Sequence, residues 1–88
     1  MKIVYRKNLD TLSVDPIQAR EAIRRAGLLE AVETYINAPG TDPLVKSAWE
    51  YALTFKRTSP TILAVAAAMG WSDQELDGLF IAASQIEY

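Results

Sequence analysis

Hydrophobic positions follow a helical period over most of the chain. Residues 16–26 and residues 28–36 each place apolar side chains three and four positions apart. This spacing is typical of helices that bury one face. Gly27 lies between the two runs and predicts a kink or a short break in the helix.

Three further segments continue the helical pattern. Residues 43 to about 56 carry a wide apolar stripe, which predicts a broad buried face. Residues 60–69 are apolar nearly all round, which predicts the central helix of a bundle, and residues 72–86 repeat the amphipathic period. Gly78 lies inside the last segment and predicts a close contact at that point. The apolar stripe of residues 43 to about 56 comprises Leu44, Ala48, Tyr51 and Phe55, widened by Val45, Trp49 and Ala52.

Four helix starts are marked by capping residues. Asp15, Asp42 and Ser59 each precede a proline, which is well tolerated in the first turn of a helix. Ser72 has Glu75 three residues later, the spacing of a capping box. Gly70 predicts a left-handed stop for the alanine-rich helix.

The first 14 residues have a different pattern. "KIVYRKNLDTLSVD" mixes β-branched and polar residues, and "KNLD" supplies turn formers, so a hairpin is expected with strands near residues 2–6 and 11–14. A frayed arm is the alternative. The predicted fold is all-α, a compact bundle of four or five short helices with an N-terminal β-like arm or hairpin. Residues 1–14 form the arm and residues 15–88 a single helical domain.

Composition limits the chemistry that this chain can perform. With 88 residues and 50% hydrophobic content, one domain with a modest core is expected. The chain has no cysteine and no histidine, so the commonest general base and the softer metal ligands are absent. Asp73 and Asp77 are four residues apart, but a hard-cation site needs about six oxygen ligands. We therefore expect no enzymatic activity, no catalytic residues, no cofactor and no metal.

Charge and hydropathy indicate the surroundings of the protein. All nine Lys and Arg residues precede residue 58, so the two ends are expected to present opposite potentials. No apolar run approaches the roughly 20 residues of a bilayer helix, and the basic N-terminus lacks a following apolar region. These features favour a soluble intracellular protein without membrane contact.

The stretch "SPTILAVAAAMGWSDQELDGLF", residues 59–80, has the spacing of a helix-turn-helix. Its second helix would present three carboxylates to DNA phosphates, and no basic residue follows it. Repulsion therefore argues against DNA reading, and a packed helical hairpin is expected instead.

Aromatic residues and arginines are the candidates for partner binding. Trp71 lies in the turn between the last two helices, where half-burial is expected, either as a packing staple or as an interface anchor. Three arginines of the first helix indicate either a solvated face or a patch for an acidic partner. The candidates are Tyr5, Arg6, Arg20, Arg24, Arg25, Trp71 and Tyr88.

Residues 47–86, "SAWEYALTFKRTSPTILAVAAAMGWSDQELDGLFIAASQI", combine an aromatic segment, a basic pair before "SP", an alanine-rich helix and a "SDQELDGLF" helix. This order resembles small proteins encoded among the tail and tail-fibre genes of tailed bacteriophages and prophages. The resemblance implies a non-enzymatic structural or assembly protein that contacts other tail proteins or itself, in the host cytoplasm during assembly or in the virion. If the arm is a strand, it is expected to add to a sheet edge of the partner.

Two alternatives remain at this point. The first is a small DNA-binding regulator, which would use the face of Arg20, Arg24 and Arg25. The second is an inhibitor of a host protein, which would make protein contacts of the same kind as an assembly protein makes. Nucleic acid binding is the less favoured of these because of the acidic second half of the chain.

Overall fold

The computed structural model describes residues 9–88, which are mostly helical as the apolar periodicity predicts. Five complete helices and one two-stranded antiparallel ribbon lie in this part of the chain. The helices are α1 Pro16–Arg25, α2 Leu29–Ile36, α3 Pro43–Tyr51, α4 Pro60–Met69 and α5 Asp73–Ser84. The strands are β1 Ser13–Val14 and β2 Phe55–Lys56.

The predicted helix starts are confirmed. Asp15 accepts a hydrogen bond from the Gln18 amide at 2.8 Å, and the Gln18 side chain accepts one from the Asp15 amide. Ser72 and Glu75 form the predicted reciprocal box, with donor–acceptor distances of 3.1 and 3.2 Å. Each pair satisfies two amides that a helix start leaves without a partner.

Glycines end two helices. Gly27 has φ 77° and separates α1 from α2, so the predicted break is confirmed. Gly70 has φ 74° and stops α4 in the left-handed conformation, also as predicted. Glycine adopts this conformation without the steric cost that a Cβ atom brings.

The β element near the N-terminus is present, but its second strand comes from far along the chain. Val14 pairs with Phe55 and Ser13 with Lys56, in antiparallel register. The strand predicted near residues 11–14 is thus confirmed, whereas the one predicted near residues 2–6 lies outside the described residues. Leu9 and Asp10, placed in the predicted turn, are helical.

The helix predicted from residue 43 to about 56 is too long. It ends at Tyr51, and Ala52 already has the extended ψ of 142° that leads the chain toward β2. Phe55 is 1% exposed in the ribbon and stacks on Trp49 with ring centroids 5.5 Å apart. Both aromatic side chains enter the core only because the chain leaves the helix between them.

The core lies between two groups of elements. α5 packs against α1 and β1, whereas α4 packs against α2 and α3. The prediction that α4 and α5 pack on each other as a helical hairpin is therefore wrong, because each of the two helices packs mainly against other elements. The core comprises Val14, Ala19, Ala22, Ile23, Val32, Ile36, Trp49, Phe55, Ile62, Val65, Ala66, Leu76, Phe80, Ala83 and Ile86.

α4 is not the central helix that its composition predicts. Ile62 and Val65 are buried, but Leu63 is 44% exposed, and Ala67 and Ala68 are exposed. Alanine is the best helix former and presents little apolar area to water, so an alanine-rich face is tolerated at the surface.

The close contact predicted at Gly78 is also wrong. A Cβ atom placed on Gly78 would meet nothing within 4 Å. Gly78 is simply an exposed glycine in the interior of α5.

We predict opposite effects of alanine at two glycines. Gly78→Ala should raise the free energy of unfolding by about 0.5–1 kcal/mol, because alanine loses less backbone entropy in a helix. Gly70→Ala should lower it by about 1 kcal/mol, because the left-handed conformation strains a residue with a Cβ atom. Urea unfolding of both variants measures the difference, and equal effects of the same sign would contradict this reading of the backbone.

Candidate protein-contact surface

Arg57 is buried and paired. Its side chain is 5% exposed, and its Nε donates to Asp77 Oδ1 at 2.8 Å. Its Nη2 reaches the main-chain oxygen and a carboxylate oxygen of Asp73, at 3.3 and 3.4 Å. Burial of a charged pair is tolerated when both partners are satisfied in this way.

The cation held by Asp73 and Asp77 is therefore a guanidinium. Asp77 is buried, whereas the amphipathic period places it on the face turned away from the core. Sequence reasoning missed this pair, since Arg57 lies 20 residues earlier on the other side of a helix and a turn. Two sequence features could have indicated the pair: the basic residue Arg57 shortly before "SP", and the carboxylates of Asp73 and Asp77 four residues apart.

Arg20 contacts both the main chain and the ring of Trp49. Its Nη2 donates to the Trp49 main-chain oxygen at 2.7 Å, and its guanidinium carbon lies 5.1 Å from the Trp49 ring centroid. Arginine over an indole face adds a cation–π attraction to the hydrogen bond. Arg20 therefore joins α1 to α3.

Arg24 and Arg25 share one carboxylate. Both donate to Glu21, at 2.5–2.7 Å for Arg24 and 2.8 Å for Arg25. The hydrogen bonds from Arg24 and Arg25 lower the pKa of Glu21 to about 2. With Arg20 turned to Trp49, the three predicted arginines do not form one unpaired basic patch.

Trp71 is half-buried, as predicted, and packs against the core. It helps to line an apolar cavity of about 20 Å³ together with Trp49, Leu79 and Phe80. A cavity of that size holds no more than about one water molecule, and an apolar lining gives it no partners. In this structure the indole closes the interior of the fold.

Tyr88 ties the end of the chain to the start of α1. Its ring is exposed, and its hydroxyl donates to Asp15 Oδ2. Gln18 Nε2 adds a bond to the Ile86 main-chain oxygen at 3.1 Å. The hydrogen bonds from Tyr88 and the Gln18 amide lower the pKa of Asp15. The other two candidates, Tyr5 and Arg6, lie outside the described residues.

The α3 region presents large apolar side chains that nothing in residues 9–88 covers. Leu44 is 74% exposed, Tyr51 77% and Leu53 86%. The predicted broad buried face is therefore wrong at two of its seven residues, Leu44 and Tyr51. Trp49 alone is fully buried on α3. We call the exposed side of this region the α3 surface, which comprises Leu44, Lys46, Ser47, Glu50, Tyr51 and Leu53.

A second surface feature is an open groove beside α2. It has a volume of about 560 Å³ and carries two carboxylates, Glu30 and Glu33. Thr34 and Asn37 point their polar groups to main-chain oxygens of α2 itself. The groove therefore offers negative charge without an enclosed binding pocket.

The described part of the chain offers neither a cluster of metal ligands nor a membrane-spanning helix. Residues 9–88 contain no group of three or more acidic, histidine or cysteine side chains placed to hold a metal ion. None of the helices in that range is long and apolar enough to cross a bilayer.

No protein-family model, curated protein or solved structure matches the chain.

We predict unequal effects at the two carboxylates that face Arg57. Asp77→Asn should lower the free energy of unfolding by about 3 kcal/mol, because it leaves a buried guanidinium without its counter-charge. Asp73→Asn should change it by less than about 1 kcal/mol, because that side chain is 88% exposed. Chemical denaturation of both variants tests this order, and equal losses would count against a buried pair.

Proposed function

We propose that this chain is a non-enzymatic protein that acts through protein–protein contacts, as a structural or assembly protein of tailed bacteriophages. The observation that carries the proposal is the α3 surface. Leu44, Tyr51 and Leu53 leave most of their apolar surface in water, and large exposed apolar side chains that lie together are typical of contact sites. The phage setting comes from the order of motifs in residues 47–86.

The energetics favour a protein partner for the α3 surface. Leu44, Tyr51 and Leu53 each keep about three quarters or more of their area in water. Burying one large apolar side chain completely is worth roughly 1.5–3 kcal/mol. A protein surface that covers all three thus finds a substantial part of its binding free energy here.

A DNA-binding regulator is the weaker proposal. Arg20 is engaged by Trp49, and Arg24 and Arg25 both pair with Glu21. Phosphate binding would have to break these pairs or accept a carboxylate beside the DNA. The first turns of α5 remain acidic, with Asp73 and Glu75 exposed.

The proposed partners are other tail proteins or a second copy of the chain, met in the host cytoplasm during assembly or in the virion.

We predict a tail defect when the gene is deleted from the phage or prophage that carries it. Negative-stain electron microscopy of induced particles should show heads with missing or defective tails. A plasmid copy should restore them, and a copy with Leu44→Glu should not, because the charge opposes burial of the α3 surface.

The matched control is Ile17→Glu, which alters a 53% exposed apolar residue on α1 and should restore tails. Normal infectious particles after deletion would overturn the phage role. Full rescue by Leu44→Glu would overturn the assignment to the α3 surface.

A further inference from the structure

The α3 surface has two flanks of different chemistry. Successive helical residues are about 100° apart, so Ser47 lies about 200° from the buried Trp49 and faces solvent. Leu44 and Tyr51 lie on one side of Ser47, and Lys46 and Glu50 lie on the other. The apolar flank thus carries one residue near each end of the helix, and the charged flank carries one residue near the middle and one near the C-terminal end.

The charged flank forms no ion pair with any other described residue, 9–88. Both of its residues, Lys46 and Glu50, are exposed. Their separation of four residues places them on adjacent turns, with the positive charge nearer the start of α3.

A two-fold axis perpendicular to α3 matches this surface to itself. Such an axis reverses the helix direction and keeps each flank on its own side, as in other isologous contacts. Leu44 then meets Tyr51 of the second copy, and Lys46 meets Glu50 of the second copy. A parallel arrangement would instead set the apolar flank against the charged one.

We propose that the α3 surface is the interface of an antiparallel homodimer. Its occupant is a second copy of the chain, because the same residues supply both the apolar contacts and the opposite charges. Ser47 lies at the crossing point, where its small side chain lets the two helices approach closely. This inference rests on the proposed role of the α3 surface in protein contacts and names the partner.

The size of the interface predicts a weak dimer. The nine residues of α3 span about 13 Å, so the contact is smaller than the standard interface of about 1,600 Å². We therefore expect a reversible monomer–dimer equilibrium that shifts with protein concentration.

Sedimentation equilibrium of the full chain at concentrations up to about 1 mM tests the proposal. A dimer with a dissociation constant above about 1 mM would have a binding free energy of less than about 4 kcal/mol. The wild type should shift toward the dimer as concentration rises. Leu44→Glu should remain monomeric, whereas Ile17→Glu should dimerise like the wild type. A wild type that stays monomeric throughout would overturn the proposal.

Charge reversal tests the register. Lys46→Glu and Glu50→Lys should each weaken self-association about tenfold, because each dimer would contain two like-charge contacts. A mixture of the two variants should associate as well as the wild type, since both contacts become attractive again in the heterodimer. Failure of the mixture to associate would overturn the antiparallel pairing.

Circular dichroism of each variant confirms that its helices are intact, and both charge reversals lie at exposed positions. The outcome is separate from that of the phage experiment. If the protein dimerises but deletion of its gene leaves tails normal, this inference stands and the phage role is refuted. If the protein stays monomeric but deletion of its gene damages tails, the phage role stands and this inference is refuted.

Discussion

Burial of Arg57 governs how the last helix is placed. A guanidinium leaves water only where acceptors replace its hydration, and here α5 supplies them through Asp77 and the main chain of Asp73. The main-chain amide of Arg57 also donates to the Leu12 oxygen at 3.0 Å, just ahead of β1. One residue therefore joins α5 to the end of β2 and to the entry of β1. The apolar side of α5 packs on α1 and β1. The ion pair of Arg57 with Asp77 restricts the positions that α5 can take there.

Local features of the fold were predictable from sequence, and those that depend on distant partners were not. Capping boxes at Asp15 and Ser72 act over three residues, so their chemistry can be read directly. The ribbon pairs Val14 with Phe55, and no short-range pattern records a partner 41 positions away. The same holds for Arg57 and Asp77. An amphipathic period also placed Asp77 on the solvent side, because a period assigns polar residues outward without counting buried ion pairs.

The candidate site shows the same division. The arginines of α1 indicated either a solvated face or a patch for an acidic partner. The i,i+4 spacing of Glu21 and Arg25 can be read from the sequence, whereas the contact of Arg20 with Trp49 on α3 cannot. The α3 surface was missed for the converse reason. A helical stripe shows which residues share a face, whereas the neighbours available in the fold decide how much of it is covered. In this chain the neighbours of α3 bury Trp49 and leave Leu44 and Tyr51 in water.

The pair formed by Arg57 and Asp77 holds α5 against the ribbon and so completes the core. A double-mutant cycle with Arg57→Met and Asp77→Leu measures this effect most directly. Each single variant strands a buried charge, whereas the double variant replaces the pair by apolar groups. The free energy of unfolding of the double variant should fall by at least about 2 kcal/mol less than the sum of the two losses in the single variants. Additivity within about 0.5 kcal/mol would contradict this role of the pair.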